Sequence, residues 1–137
     1  MDAIRDFFME RDQFAKLLGI RLLEVREGYA RACMEILDHH RNGVGIAHGG
    51  AIFSLADLAF GAAANSHGTV ALAIQADIAF TRPGTTGVLT AEAREISRSS
   101  KLATYAVSIS DEEGGVIASF QGIVYRKKNK LPMPEET

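Results

Sequence analysis

The sequence predicts an α+β domain in which an antiparallel sheet wraps one long buried helix. Three observations predict it. Residues 49–65, GGAIFSLADLAFGAAAN, form an apolar run without proline, and a helix apolar on every side is a buried one. Around that run lie six stretches with the composition of strands, two before it and four after it. Turn-forming residues separate the stretches at intervals that suit hairpins.

The elements follow in order. Residues 2–18 have helical patterning. Asp12 is a fair N-cap inside them, Phe14, Leu17 and Leu18 share a face and Gly19 is a stop, so the segment reads as one helix or two short ones. Residues 20–26 and 29–37 read as strands joined by a tight turn at Glu27-Gly28. In the second strand Ala30, Ala32, Met34 and Ile36 alternate with Arg31, Cys33 and Glu35, the period of a half-buried strand. Residues 38–47 form a loop with glycines at 43 and 45. The long helix spans about 25 Å and stops at Asn65-Ser66-His67-Gly68. Strands are expected at 69–82, 87–97, 101–110 and 116–126, broken by Pro83-Gly84, Ser99-Ser100 and Gly114-Gly115.

The 137 residues make one domain, with a core at about 15–126, a helical segment at 2–18 and a basic C-terminal tail at 127–137. A net charge of −2 gives no electrostatic case for nucleic acid. The run Arg126-Lys127-Lys128-Asn129-Lys130 reads as a solvated end, or as a weak aid to holding phosphates. The start, MDAIRDFFMERD, is acidic where a signal peptide needs a basic flank, and neither terminus has a run of 18 apolar uncharged residues. A cytoplasmic protein is expected. The single cysteine, Cys33, excludes an internal disulfide and a cysteine-based metal site, and is expected to pack. His39 and His40 lack a third ligand, so they read as a solvated loop and not as a metal site.

Asp57 is the feature that carries chemistry. Residues 42–76 number 35 and at the chain's 23% would hold about eight charged residues, yet Asp57 is the only one. Phe53, Phe60 and Gly61 lie one turn away on its face. An unpaired buried carboxylate is costly, so Asp57 must be paired to a distant cation, point to solvent, or be a poised acid or base. His48-Gly49-Gly50 opens the same helix. Unbonded N–H groups and glycines at a helix start suit an oxyanion, or merely turn the chain tightly. Gly49 and Asp57 are eight residues apart, about 12 Å along the axis, whereas a base and an oxyanion donor must both come within about 3 Å of one reacting group. If both serve one site, two chains must build it across a symmetry axis.

These residues resemble the PaaI-type branch of the hotdog thioesterases. The likeness rests on Asn42-Gly43, His48-Gly49-Gly50, Phe53-Ser54-Leu55-Ala56-Asp57, Ala64-Asn65-Ser66 and the turn Phe80-Thr81-Arg82-Pro83-Gly84, and covers about residues 15–126. The resemblance implies a hotdog fold, a curved antiparallel sheet around a central helix. It implies a homodimer, commonly paired into a tetramer, that hydrolyses acyl-CoA without metal or cofactor, with phenylacetate degradation as the family's setting. It assigns Asp57 as general base or nucleophile and the Gly49 N–H to polarising the thioester carbonyl. Asn42 and His48 position the thioester, both from the chain opposite to Asp57. A polar residue on the third strand often assists. Gln75 is the candidate here, and Asp77 reads as an edge residue.

The remaining site candidates carry alternatives. Gly50 accompanies Gly49. Phe53 and Phe60 line an acyl pocket or belong to the core. Arg82, Arg98 and Lys101, with Ser99 and Ser100, hold the CoA phosphates or are surface residues. The competing functions are a non-catalytic acyl-CoA-binding module, a hotdog hydratase and a structural dimer. No DNA-binding helices support the first, and His48 alone does not supply the second's His–Asp or His–Glu pair.

Overall fold

A computed structural model describes residues 2–134. Helix α1 (Asp2–Arg11) is followed at once by α2 (Gln13–Leu18), so the N-terminal segment is two short helices. Asp12 makes the corner: its carboxylate accepts from the Ala15 N–H at 3.0 Å and caps α2. Strands β1 (Arg21–Arg26) and β2 (Tyr29–Glu35) form a hairpin, after which a 3₁₀ turn at Asp38–His40 starts the loop. Its hairpin glycine, Gly28, has φ 70°, and a Cβ there would press on the Glu95 side chain at 3.1 Å. The long helix, α3, is Gly49–Ala64, and a 3₁₀ turn at Asn65–His67 ends it. The chain then runs through β3 (Thr69–Phe80), β4 (Val88–Arg98), β5 (Leu102–Ser110) and β6 (Val116–Lys130).

The strands form one six-stranded antiparallel sheet in the order β1-β2-β4-β5-β6-β3. Helix α3 packs across this sheet and touches all six strands. Ala30, Ala32, Met34 and Ile36 are all buried, as the β2 alternation requires. Buried Asn65 ties the helix end to the start of β3. Its Nδ2 donates to the Gly61 and Ala71 carbonyls at 2.8 and 3.2 Å, and its Oδ1 accepts from the Ala71 N–H at 2.9 Å.

Three expectations change. The basic run is not a tail, because β6 continues to Lys130, which pairs with Thr69 at the start of β3. Helix α1 belongs to the core, with Ile4 buried. His40 is not solvated: it is buried, its Nδ1 accepts from the Leu37 N–H at 2.9 Å, and its Nε2 bonds the Leu18 carbonyl at 2.7 Å. With both ring nitrogens committed, it locks the 38–47 loop to the end of α2.

Candidate active site

Helix α3 is buried on most sides but not all. Gly50, Ser54, Asp57 and Gly61, spaced four, three and four residues apart, form a less buried stripe, with Gly50 and Asp57 exposed. Asp57 therefore takes the second of its open options in a single chain and faces outward. It divides two clefts. One, of about 360 Å³, is lined by Asp12, Phe14, Ala15, Ile20, Phe53 and Ser54. The other, of about 190 Å³, is formed by Phe8, Phe60, Gly61 and the β3 residues Ala71 and Ala73, with Asp12 again present. Among the described residues Asp57 has neither a hydrogen bond nor an ion pair. Partial desolvation, reinforced by the Asp12 charge, holds its carboxyl above the ordinary carboxylate value. One side of Asp57 is open to water and the other crowds against protein. The shift follows the crowded side, and screening from the open side moderates it.

The helix start forms a different pocket, of about 340 Å³, which shares no lining residue with either Asp57 cleft. Asn42, Gly49, Phe80, Thr81 and Arg82 line it. His48 is the N-cap of α3, and its Nδ1 accepts from the Gly50 N–H at 2.8 Å. That bond takes Gly50 out of play as a donor and leaves the Gly49 N–H without a partner among the described residues. The Phe80 ring covers Gly49, where a Cβ would meet it at 3.1 Å, so glycine keeps this N–H approachable. Asn42 organises the loop beside it, its Oδ1 accepting from the Val44 and Ile46 N–H groups at 3.0 and 3.3 Å. Its Nδ2 has no partner among the described residues.

The other candidates separate. Phe53 is half-buried and lines the larger Asp57 cleft. Phe60 is 1% exposed, packed between Tyr105 and Phe120, yet one side of it borders the smaller cleft. Gln75 is not beside Asp57. It lies on the outer face of the sheet with Asp77, Thr104 and Gln121, because a bulge at Ile74 reverses the alternation of β3. Arg82 borders the Gly49 pocket but is ion-paired to Asp111. Arg98 donates to His67 Nδ1, while His67 Nε2 and the buried Tyr105 hydroxyl both bond Glu95, at 2.8 and 2.7 Å. Ser99 closes the β4–β5 turn with Leu102. Lys101 is exposed and forms no ion pair among the described residues.

The model of the thioesterase superfamily matches residues 44–118, which spans the helix start, Asp57, β3 to β5 and the start of β6. This chain belongs to that superfamily. The thioesterase is similar to the acyl-coenzyme A thioesterase PaaI of Escherichia coli, 38% identical over 118 residues, 85% of this chain and 84% of that one. An Archaeoglobus fulgidus protein is 40% identical over 133 residues, 96% of this chain and 86% of its own. The solved structure of E. coli PaaI superposes with a TM-score of 0.88 at 36% identity, covering 91% of each chain. The fold is thus the hotdog fold and the branch is the PaaI type, as the motif resemblance implies. Two residues of the pockets escaped the sequence reading. In sequence Phe80 is part of a turn motif and Asp12 reads as a cap. Neither contact leaves a local signal, since each joins segments more than thirty residues apart.

Proposed function

We propose that this thioesterase hydrolyses acyl-CoA thioesters in a homodimer, each site combining Asp57 of one chain with Gly49, Asn42 and His48 of the other. The observation that carries this reading is the division of labour within one chain. An unpaired carboxylate of raised proton affinity and an unpaired helix-start N–H occupy separate pockets. Each is half of a hydrolytic site. The free edge of the sheet supports pairing of two chains. Strand β3 is twelve residues long, lies at the end of the strand order, and exposes Leu72, Ile74 and Phe80 by 53–60%. A long apolar edge without cover is a liability in a monomer. A second pairing of such dimers gives the tetramer that the family resemblance implies.

In this mechanism Asp57 takes a proton from water, and the water oxygen bonds to the thioester carbonyl carbon. The oxyanion forms toward the Gly49 N–H. Its collapse breaks the C–S bond, and the CoA thiolate receives the proton from Asp57, leaving the free acid. A direct attack by the Asp57 carboxylate is the variant route, and a raised proton affinity serves either role. The dimer would bring the cleft holding Phe53 against the Gly49 pocket, so the acyl group meets apolar walls. Lys101 is the best phosphate ligand among the basic candidates, because Arg82 and Arg98 are already engaged, as is the neighbouring Ser99 hydroxyl with Leu102. No helix among the described residues is long and apolar enough to cross a membrane. The E. coli structure comes from a phenylacetic acid degradation operon, which makes arylacetyl esters the first to offer.

The test is free-thiol release from acyl-CoAs of several lengths, with arylacetyl and hydroxybenzoyl esters included. Turnover should fall by about 10²-fold or more in Asp57→Ala and Asp57→Asn. Two folded variants with full activity would remove Asp57 from the mechanism.

A further inference from the structure

Asp12 sits where a capping residue needs no second role, yet among the described residues it is the only ionisable neighbour of Asp57 in either cleft. It lines both clefts, as Asp57 does, so the two carboxylates stand on the same dividing ridge. The cap bond from the Ala15 N–H holds one Asp12 oxygen in place. Among the described residues that line the clefts there is no cation. The adjacent Arg11 is drawn away, its guanidinium stacked 5.1 Å from the Phe7 ring centre and bonded to the Pro132 carbonyl at 3.0 Å. The elements packed around the ridge bring no other charge: α1 supplies Phe8, α2 adds Phe14 and Ala15, β3 contributes Ala71, Leu72 and Ala73, and β6 supplies Val124. In the proposed dimer the opposite chain brings two further groups that can carry charge, His48 and Arg82, and Arg82 is already ion-paired to Asp111.

We propose that Asp12 is a positioning residue of the Asp57 site, holding a second fixed negative charge in the clefts that the thioester enters. This rests on the functional reading above. A like charge across a partly dried cleft disfavours the ionised form of its neighbour and makes that neighbour a stronger base. Desolvation first, and then the Asp12 charge, hold the Asp57 carboxyl above the ordinary carboxylate value, in keeping with this geometry. The corner between α1 and α2 thus does two things with one side chain. It starts a helix, and it sets the charge beside the catalytic carboxylate.

The experiment compares the full-length protein with Asp12→Asn and Asp12→Ser. Both replacements serve as N-caps, so α2 is kept and only the charge is lost. The Asp57 carboxyl is titrated by ¹³C NMR, and the pH dependence of kcat/KM is recorded with the best acyl-CoA substrate. Both the Asp57 midpoint and the acid limb should fall by about half a pH unit. KM on the pH plateau should hold, and the melting temperature should not fall. A midpoint and limb that stay in place in both variants, or that rise, overturn the proposal, including the case where only thermal stability drops. The two readings fail separately. Wild-type protein without Asp57-dependent hydrolysis overturns the functional reading and this proposal with it. Hydrolysis that needs Asp57 but a titration indifferent to Asp12 overturns this proposal alone.

Discussion

Mixing two inactive variants tests the shared site most directly. In Asn42→Ala the loop beside Gly49 loses the side chain whose Oδ1 accepts from the Val44 and Ile46 N–H groups. In Asp57→Asn the proposed base is lost. If each site takes Asn42 from one chain and Asp57 from the other, both parent dimers have two damaged sites. A mixed dimer is different: one site collects both lesions and the other collects neither. Equal amounts, fully exchanged, yield about half mixed dimers with one intact site each, so recovery should approach a quarter of wild-type activity. The parents alone should stand about 10²-fold below wild type. The assay is thiol release before and after exchange, with exchange verified by native mass spectrometry. If mixed dimers form and activity remains at the parental level, Asn42 and Asp57 act in the same chain, or do not act together. The separation of the two pockets would then not describe the working site.

Two predictions concern the frame. Gly122 on β6 faces the Phe60 ring, and an added Cβ would come within 2.5 Å of it. Phe60 is 1% exposed and packs against the Tyr105 and Phe120 rings, with room to move only toward the smaller cleft, so Gly122→Ala should cost about 1–3 kcal/mol in urea unfolding. A change below a few tenths would show that the ring shifts freely. The other prediction is the pH dependence of stability at Asp57. Its folded proton affinity is above the unfolded value, so the folded state binds the proton more tightly. Stability from this group is present at acid pH and declines as pH rises from the unfolded pKa through the folded one. Asp57→Asn should therefore gain stability relative to wild type between pH 4 and pH 7, read from paired thermal melts. A gap constant across that range, or one that narrows, contradicts the shift.

How much of this was legible depended on whether a residue's environment is set by its own neighbours in sequence. The limits of α3 follow from His48 and Asn65, which cap it with side chains a few residues away. The buried face of β2 follows from simple alternation. Gln75 shows the opposite case. Counting by twos from the inward Ala71 and Ala73 puts Gln75 beside the helix, but Ile74 is an extra residue in the pairing with β6, and everything after it changes sides. No residue type near Ile74 announces that bulge. Asp12 is similar: its capping role is local and visible, while its place beside Asp57 depends on how α1 and α2 fold back over α3. Asp57 itself carries the clearest lesson. Its surroundings in sequence are those of a buried residue, yet the single chain leaves it exposed. The two facts conflict only if one chain is the working unit. In the proposed dimer, the outward stripe of Gly50, Ser54, Asp57 and Gly61 becomes an interior surface. Its small residues then let a second chain approach, and its lone charge is kept for the chemistry.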